Sequence, residues 1–391
     1  MTDLSQPILP GSGPNGVDGE LRLFREAARS FIRGELVPRQ ERWRAQHGPD
    51  PKDWIDAGAI GLLLPDVPED FGGAGGHFGH FAVVLEELAA AGVHFGCGIQ
   101  GIVARYILCY GNDGQKRAWL PKLASGELIA AIAMSEPNAG SDLQAIRTTA
   151  RREGEGDGAH YVISGQKTFI SNARHAGLVL LAARTGGPGM KGLSMIVVET
   201  AGLAGYRAGR PLEKLGMTGQ DTCEIFFDEA KVPVANLLGP AEGRGFSQMM
   251  AQLPYERLSI GVSAVATAER AVALTTAYVK ERQAFGKSLF DLQNTRFKLA
   301  ECHTEARIGR VFLDHCIERF IAGNLDEAST AMAKYWLTDR QCRIVDECLQ
   351  LHGGYGYMTE YPIARLWADS RVQRIYAGSN EVMKEVIAWS L

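Results

Sequence analysis

The chain has 391 residues, 46% of them hydrophobic and 22% charged, which is too long for one compact core and points to two or three domains. Its 41 basic and 45 acidic residues leave a formal charge of −4. That balance excludes a field for gathering nucleic acid or an anionic membrane, so any anionic ligand needs a local constellation of donors. No run approaches the ~18–20 continuous apolar residues that span a bilayer.

Residues 1–17 are polar and rich in Gly and Pro, with neither a basic leader nor an apolar core, and read as a flexible arm rather than a signal peptide. From 18 to 131 the apolar spacing is helical, as in Leu21, Phe24 and Ala28, then Phe81, Val84, Leu85 and Leu88, then Ile102, Tyr106 and Cys109. From 132 to 240 short β-branched runs at 161–163, 178–182, 195–198 and 224–227 alternate with turn residues, which predicts an antiparallel β domain. From 241 to 391 long helical stretches return. This helix–sheet–helix order is α+β rather than doubly wound. Seven cysteines, at 97, 109, 223, 302, 316, 342 and 348, contain no CxxC pair and read as free thiols of a cytoplasmic protein.

Several strings imitate functional motifs. Gly11 to Gly16 matches GxGxxG, but no strand precedes it and Pro14 lies inside it. His77 and His80 lack an acidic or Cys partner at metal-ligand spacing and read as a loop or helix-start pair; no metal is expected. Cys302 and His303 read as packing or surface residues. Ser141 and Asp142 with the scattered histidines do not make a hydrolase, because there is no GxSxG elbow.

Two stretches carry chemistry. AMSEPNAGSD at 133–142 is a small-residue loop whose hydroxyls and N–H groups can approach a flat or anionic ligand. In GQKTFISN at 165–172, Phe169 and Ser171 are two apart, so a strand places them on one face. An aromatic beside a hydroxyl suits an isoalloxazine ring.

These stretches, with RQAFG at 282–286, Gln293, QLHGGYG at 350–356 and RIYAGSNE at 374–381, resemble the signature segments of the acyl-CoA dehydrogenase family, in its order and spacing. The resemblance implies an N-terminal helical domain, a middle β domain and a C-terminal four-helix bundle. It further implies FAD, an acyl-CoA substrate, an electron-transferring flavoprotein as acceptor and a homotetramer. Met134, Ser135, Phe169 and Ser171 match positions that hold the flavin ring. Arg282, Phe285 and Gln293, with Gln350, Gly353 and Gly354, match positions that reach FAD across a subunit interface. Ser379 and Glu381 match flavin-nucleotide contacts, and Ser141 matches a contact to the CoA arm; Arg257 and Tyr376 are expected beside the substrate.

Many members of that family carry their base as Glu in a Tyr-Glu-Gly turn near the C-terminus. Here the turn reads Tyr376-Ala377-Gly378, without the carboxylate. A replacement is offered by Glu256, which helical steps of three and four place on the stripe Met249, Leu253 and Ile260. A carboxylate on an apolar face has its pKa raised toward that of a general base; the alternative is a surface Glu paired to Arg257 or Lys280. The string LPYER at 253–257 resembles the long-chain and isovaleryl-like branch, whose base sits on this helix. Pro254 is expected to bend the helix or widen a turn. Loss of the side chain at 377 keeps the backbone N–H that the family uses to polarise the thioester, and Gly378 leaves room for it. A flavin oxidase or a catalytically divergent flavin binder shares most of these motifs. Acyl chain length and branching are not encoded in the spacing.

Overall fold

The computed structural model of the chain describes residues 18–391, so the GxGxxG-like string and the expected N-terminal arm lie outside the described residues. Six helices come first: α1 (Asp18–Phe31), α2 (Val37–Gln46), α3 (Pro51–Gly58), α4 (Phe78–Ala91), α5 (Cys97–Tyr110) and α6 (Asp113–Ser125). The two histidines of the metal-like pair cap α4. The Gly79 N–H donates to His77 Nδ1 at 3.0 Å, and the His77 N–H donates to His80 Nδ1 at 3.2 Å. Gly92, at φ +66°, closes the same helix in the left-handed cap that a Cβ would strain.

Seven strands follow: β1 (Ala130–Ala133), β2 (Thr149–Glu153), β3 (His160–Ser171), β4 (Leu178–Arg184), β5 (Leu193–Glu199), β6 (Tyr206–Pro211) and β7 (Thr222–Pro233). They form one sheet in the order β1-β4-β2-β3-β7-β6, with β5 also on β4. The sheet is mixed, which corrects the antiparallel expectation: β1 runs parallel to β4, pairing Ala130 with Leu178 through Ala133 with Leu181. The chain leaves β1 and makes the β2–β3 hairpin before returning, a crossover long enough to re-enter in the same direction. β4 and β5 are buried along nearly their whole length.

The C-terminal layer is built on α7 (Gly245–Glu281), α8 (Gln293–Ile321) and α9 (Glu327–Leu351), which pack on one another. The short helices α10 (Pro362–Ser370) and α11 (Asn380–Ala388) lie on α9 and complete the bundle. A hairpin of β8 (Gln283–Ala284) and β9 (Lys287–Ser288) joins α7 to α8. α7 is long and apolar enough to cross a membrane by length and composition, but two-thirds of its apolar window is buried inside this fold. It is the central core helix, packed against α4, α5, α8 and α9. Pro254 does not interrupt it: the α-helix runs continuously through that position, and only the Met250 carbonyl loses its i+4 donor.

Ion pairs fasten the helical layers together. Glu86 on α4 takes Arg25 of α1 at 2.7 Å and Arg310 of α8, while Arg310 also holds Glu269 of α7 at 2.8 Å. Burial pushes the Glu86 carboxyl up, but the charges of Arg310 and Arg25 outweigh it and hold it at about 2. All seven cysteines are free, and Cys302 packs inside the bundle.

Candidate active site

Glu256 faces inward from α7 and is 8% exposed. The hydroxyl of Tyr106, from α5, donates to its Oε1 at 3.1 Å. Neither Arg257 nor Lys280 forms an ion pair with it; Arg257 turns to Glu327 at 3.5 Å. Burial lifts the Glu256 carboxyl to about 7, with the Tyr106 hydrogen bond and the Arg257 charge pulling back against it. A carboxylate held near neutrality without a salt bridge can both take and release a proton at physiological pH.

The turn at 376–378 is conformationally unusual. Ala377 and Gly378 are both left-handed, at φ +50° and +86°. Only Gly is free of cost there, so Ala377 stores about 1 kcal/mol or more. A Cβ on Gly378 would lie 2.7 Å from Met383 Cε, a clash the flexible methionine can relieve, so it is the left-handed backbone that disfavours a side chain there. Among the described residues no backbone carbonyl accepts from the Ala377 N–H, which leaves that donor available. Ser379 caps α11, its Oγ accepting from the Val382 N–H at 3.4 Å, and Glu381 lies exposed in the first turn. Tyr376 lines a cavity of about 110 Å³ with Ser263 and Thr267 of α7, where the three layers meet.

The two motifs around the β domain are brought together by a buried lysine. Lys167, fully buried on β3, donates from Nζ to the Met134 carbonyl and to Glu136 Oε1, each at 2.9 Å, and the Thr168 N–H donates to the Ser135 carbonyl at 3.0 Å. Met134 and Ser135 are thereby fixed beside Phe169. Burial along the strand end alternates, with Thr168 and Ile170 inside and Phe169 and Ser171 on the open side. The shared face holds, but through a bulge: the register slips between Lys167 and Ile170, and Phe169 sits at φ +61° with 71% of its surface exposed.

A second concavity, of about 560 Å³, is lined by Arg282, Gln350, Gly353, Gly354, Tyr278 and Tyr355. The Arg282 guanidinium lies 5.5 Å over the Tyr355 ring. No atom lies within 4 Å of where a Cβ would stand on Gly353 or Gly354, so both present open backbone. Phe285 and Gln293 do not line this concavity. Phe285 stands at the hairpin tip, left-handed at φ +54° and 91% exposed, while Gln293 begins α8 on the surface. Ser141 is exposed in the loop after β1.

The comparisons with known proteins agree along the whole described chain. Models of the acyl-CoA dehydrogenase N-terminal, middle and C-terminal domains match residues 18–127, 131–230 and 243–391. The mitochondrial long-chain specific acyl-CoA dehydrogenase of Sus scrofa is 41% identical over 372 residues, 94% of this chain and 85% of that one. The chain belongs to the acyl-CoA dehydrogenase family. It is therefore an oxidoreductase. A crystal structure of an acyl-CoA dehydrogenase from Geobacillus kaustophilus superposes with a TM-score of 0.91 at 45% identity, covering 95% of this chain and 98% of that one. One from Bacillus anthracis, complexed with FAD, gives 0.89 at 30% identity, covering 99% and 69%.

Within this family member the residues present fit a flavin. Phe169 offers an exposed aromatic face on the same side of β3 as Ser171, and the adjoining Met134–Ser135 loop is pinned to that strand by Lys167. Sequence reasoning missed three residues of the site. Tyr106 read as apolar packing, and Lys167 was lost among strand residues. Lys334, buried on α9 between Ala331 and Leu337, was detectable by the test that singled out Glu256, a charge set on an apolar stripe.

Proposed function

We propose that this protein catalyses the FAD-dependent α,β-dehydrogenation of an acyl-CoA thioester to the 2-enoyl-CoA, with Glu256 as the base. The observation that carries the reading is a single carboxyl: Glu256 is buried, hydrogen-bonded by Tyr106, raised to about 7, and the family's alternative position holds Ala377. FAD, held by Met134, Ser135, Phe169 and Ser171, would supply the acceptor for the hydride that leaves the β-carbon.

The chain's own residues do the rest. Glu256 takes the α-proton, and its ordinary pKa of 4.5 would make it too weak a base at neutral pH. The Ala377 N–H donates to the thioester oxygen as negative charge gathers there, and its fixed left-handed geometry means no reorganisation accompanies the step. Gly378 lets the thioester approach the backbone. Arg257 and Tyr376 border the substrate, and Ser141 meets the CoA arm.

Met134, Ser135, Phe169 and Ser171 hold the flavin ring, and Ser379 and Glu381 its nucleotide portion. Arg282, Phe285, Gln293, Gln350, Gly353 and Gly354 serve the cofactor of a neighbouring subunit in a homotetramer, which gives the exposed Phe285 a reason to occupy a strained turn. Electrons pass on to an electron-transferring flavoprotein in the cytoplasm.

Relocating the base tests the assignment. Glu256→Gly alone should lose acyl-CoA turnover while keeping FAD. Adding Ala377→Glu should restore a measurable fraction, because both positions must face one α-carbon. Full turnover by Glu256→Gly would sink the assignment.

A further inference from the structure

Lys334 is 0% exposed on α9, and among the described residues no carboxylate forms an ion pair with its ammonium; its partners are a carbonyl and an amide oxygen. Its Nζ donates to the Gly378 carbonyl at 2.7 Å and to Asn380 Oδ1 at 2.9 Å. Asn380, itself buried, donates from Nδ2 to Thr338 Oγ1 at 3.0 Å and Asp339 Oδ1 at 2.9 Å. The turn that carries the free Ala377 N–H is thus clamped to α9 through one lysine and one asparagine. A hydroxyl or amide would suffice as a clamp. An unpaired buried ammonium is costly, so a charge here calls for a different reason.

The surroundings supply one. Burial lowers the Lys334 pKa to about 8, and the next largest influence is the like charge of Arg257 on α7, beside Glu256. The other charged groups that reach it are Glu381 on α11, Asp339 on its own helix and Arg374 ahead of the turn. Two buried cations therefore influence each other here: among the described residues Lys334 makes no ion pair, and Arg257 makes only the 3.5 Å contact to the exposed Glu327. Negative charge at the thioester oxygen is what would complete the set.

We propose that Lys334 is a positioning residue for the oxyanion turn: it fixes the Gly378 carbonyl so that the Ala377 N–H points at the thioester oxygen, and its positive charge stabilises the enolate-like oxygen formed as Glu256 takes the α-proton. The inference rests on the dehydrogenase reading above. No new bond or electron is involved. The α-proton ends on Glu256, and the charge left on oxygen is balanced by Lys334.

The test uses the FAD-loaded enzyme and a 3-thia-acyl-CoA, whose acidic α-proton can be removed to give an enolate read by its long-wavelength absorbance against the flavin. Lys334→Met and Lys334→Gln, confirmed to retain FAD, should raise the pH midpoint for enolate formation by at least one unit, a tenfold loss. Their kcat should fall more than KM rises. Unchanged midpoints in both variants, with FAD in place, overturn the proposal. If neither variant holds FAD, the wild-type titration decides. The enolate band should fade at the alkaline end as Lys334 loses its proton, and a band that strengthens monotonically overturns the proposal. Wild-type enzyme that forms the band but is not reduced by any acyl-CoA would instead count against the dehydrogenase reading.

Discussion

Replacing Glu256 by Gln should make the stability of the protein depend on pH in a way that isolates this one carboxyl. In the unfolded chain Glu256 ionises near 4.5, whereas in the fold it holds its proton until about 7. A raised carboxyl favours the fold below pH 4.5, where both states are protonated, and loses that advantage as pH rises through 7, where the buried group must ionise. The gap corresponds to about 3 kcal/mol at ~1.4 kcal/mol per unit. A glutamine at this position fills the same volume, keeps a carbonyl for the Tyr106 hydroxyl and never ionises, so the variant escapes this loss. The excess stability of Glu256→Gln over wild type should therefore grow by up to about 3 kcal/mol from pH 5 to 8.5. For a chain of this size that is roughly 3–4 °C in melting temperature. Melting curves of both proteins across that range, with FAD saturating, read the effect. A difference that stays constant with pH would mean that Glu256 titrates like an exposed glutamate, and the basis for its role as base would be gone.

Other perturbations reach separate parts of the site. Tyr106→Phe removes the donor on the Glu256 carboxylate, so the acidic limb of the kcat–pH profile should move up by roughly 0.5–1 unit; an unmoved limb would leave Tyr106 as packing only. Lys167→Met strands the buried Glu136 carboxylate and releases the Met134–Ser135 loop, which should destabilise the protein by about 3 kcal/mol or more and cost it FAD. Adding Glu136→Gln should recover most of the stability in urea titrations but not the cofactor affinity, because the loop is still unpinned. Phe285→Ala touches little within its own chain and removes an exposed ring from a left-handed turn, so the dissociated subunit should lose no stability. Sedimentation with flavin absorbance should nonetheless show weaker assembly and looser FAD if Phe285 meets a neighbouring subunit.

The order of layers was legible because apolar periodicity changes twice along the chain, and Glu256 was legible because a carboxylate interrupts an apolar stripe. The same test applied to α9 would have found Lys334. Tyr106 was not readable, because its partner lies on a helix 150 residues away and spacing carries no information about that meeting. The parallel pairing of β1 with β4 depends on where a long crossover returns, which no local pattern encodes. Pro254 signalled a break that tertiary packing overrode, since α7 is buried among four helices that keep it continuous. The left-handed backbone at Phe169, Phe285 and Ala377 was invisible too, because none is a residue whose type announces that conformation. All three fall at residues that the family resemblance also singles out, although His47, Asn172, Met217 and Glu229 adopt the same backbone outside that set.

The central claim is that a carboxyl at 256, and not one at 377, starts the oxidation of an acyl-CoA. Anaerobic mixing of the FAD-loaded protein with a panel of acyl-CoA thioesters, from short and branched to long straight chains, tests it most directly. At least one thioester should bleach the flavin absorbance of the wild type, and Glu256→Gln should bind that thioester without bleaching. Bleaching that survives in Glu256→Gln, or a wild type that no thioester reduces, would contradict the account.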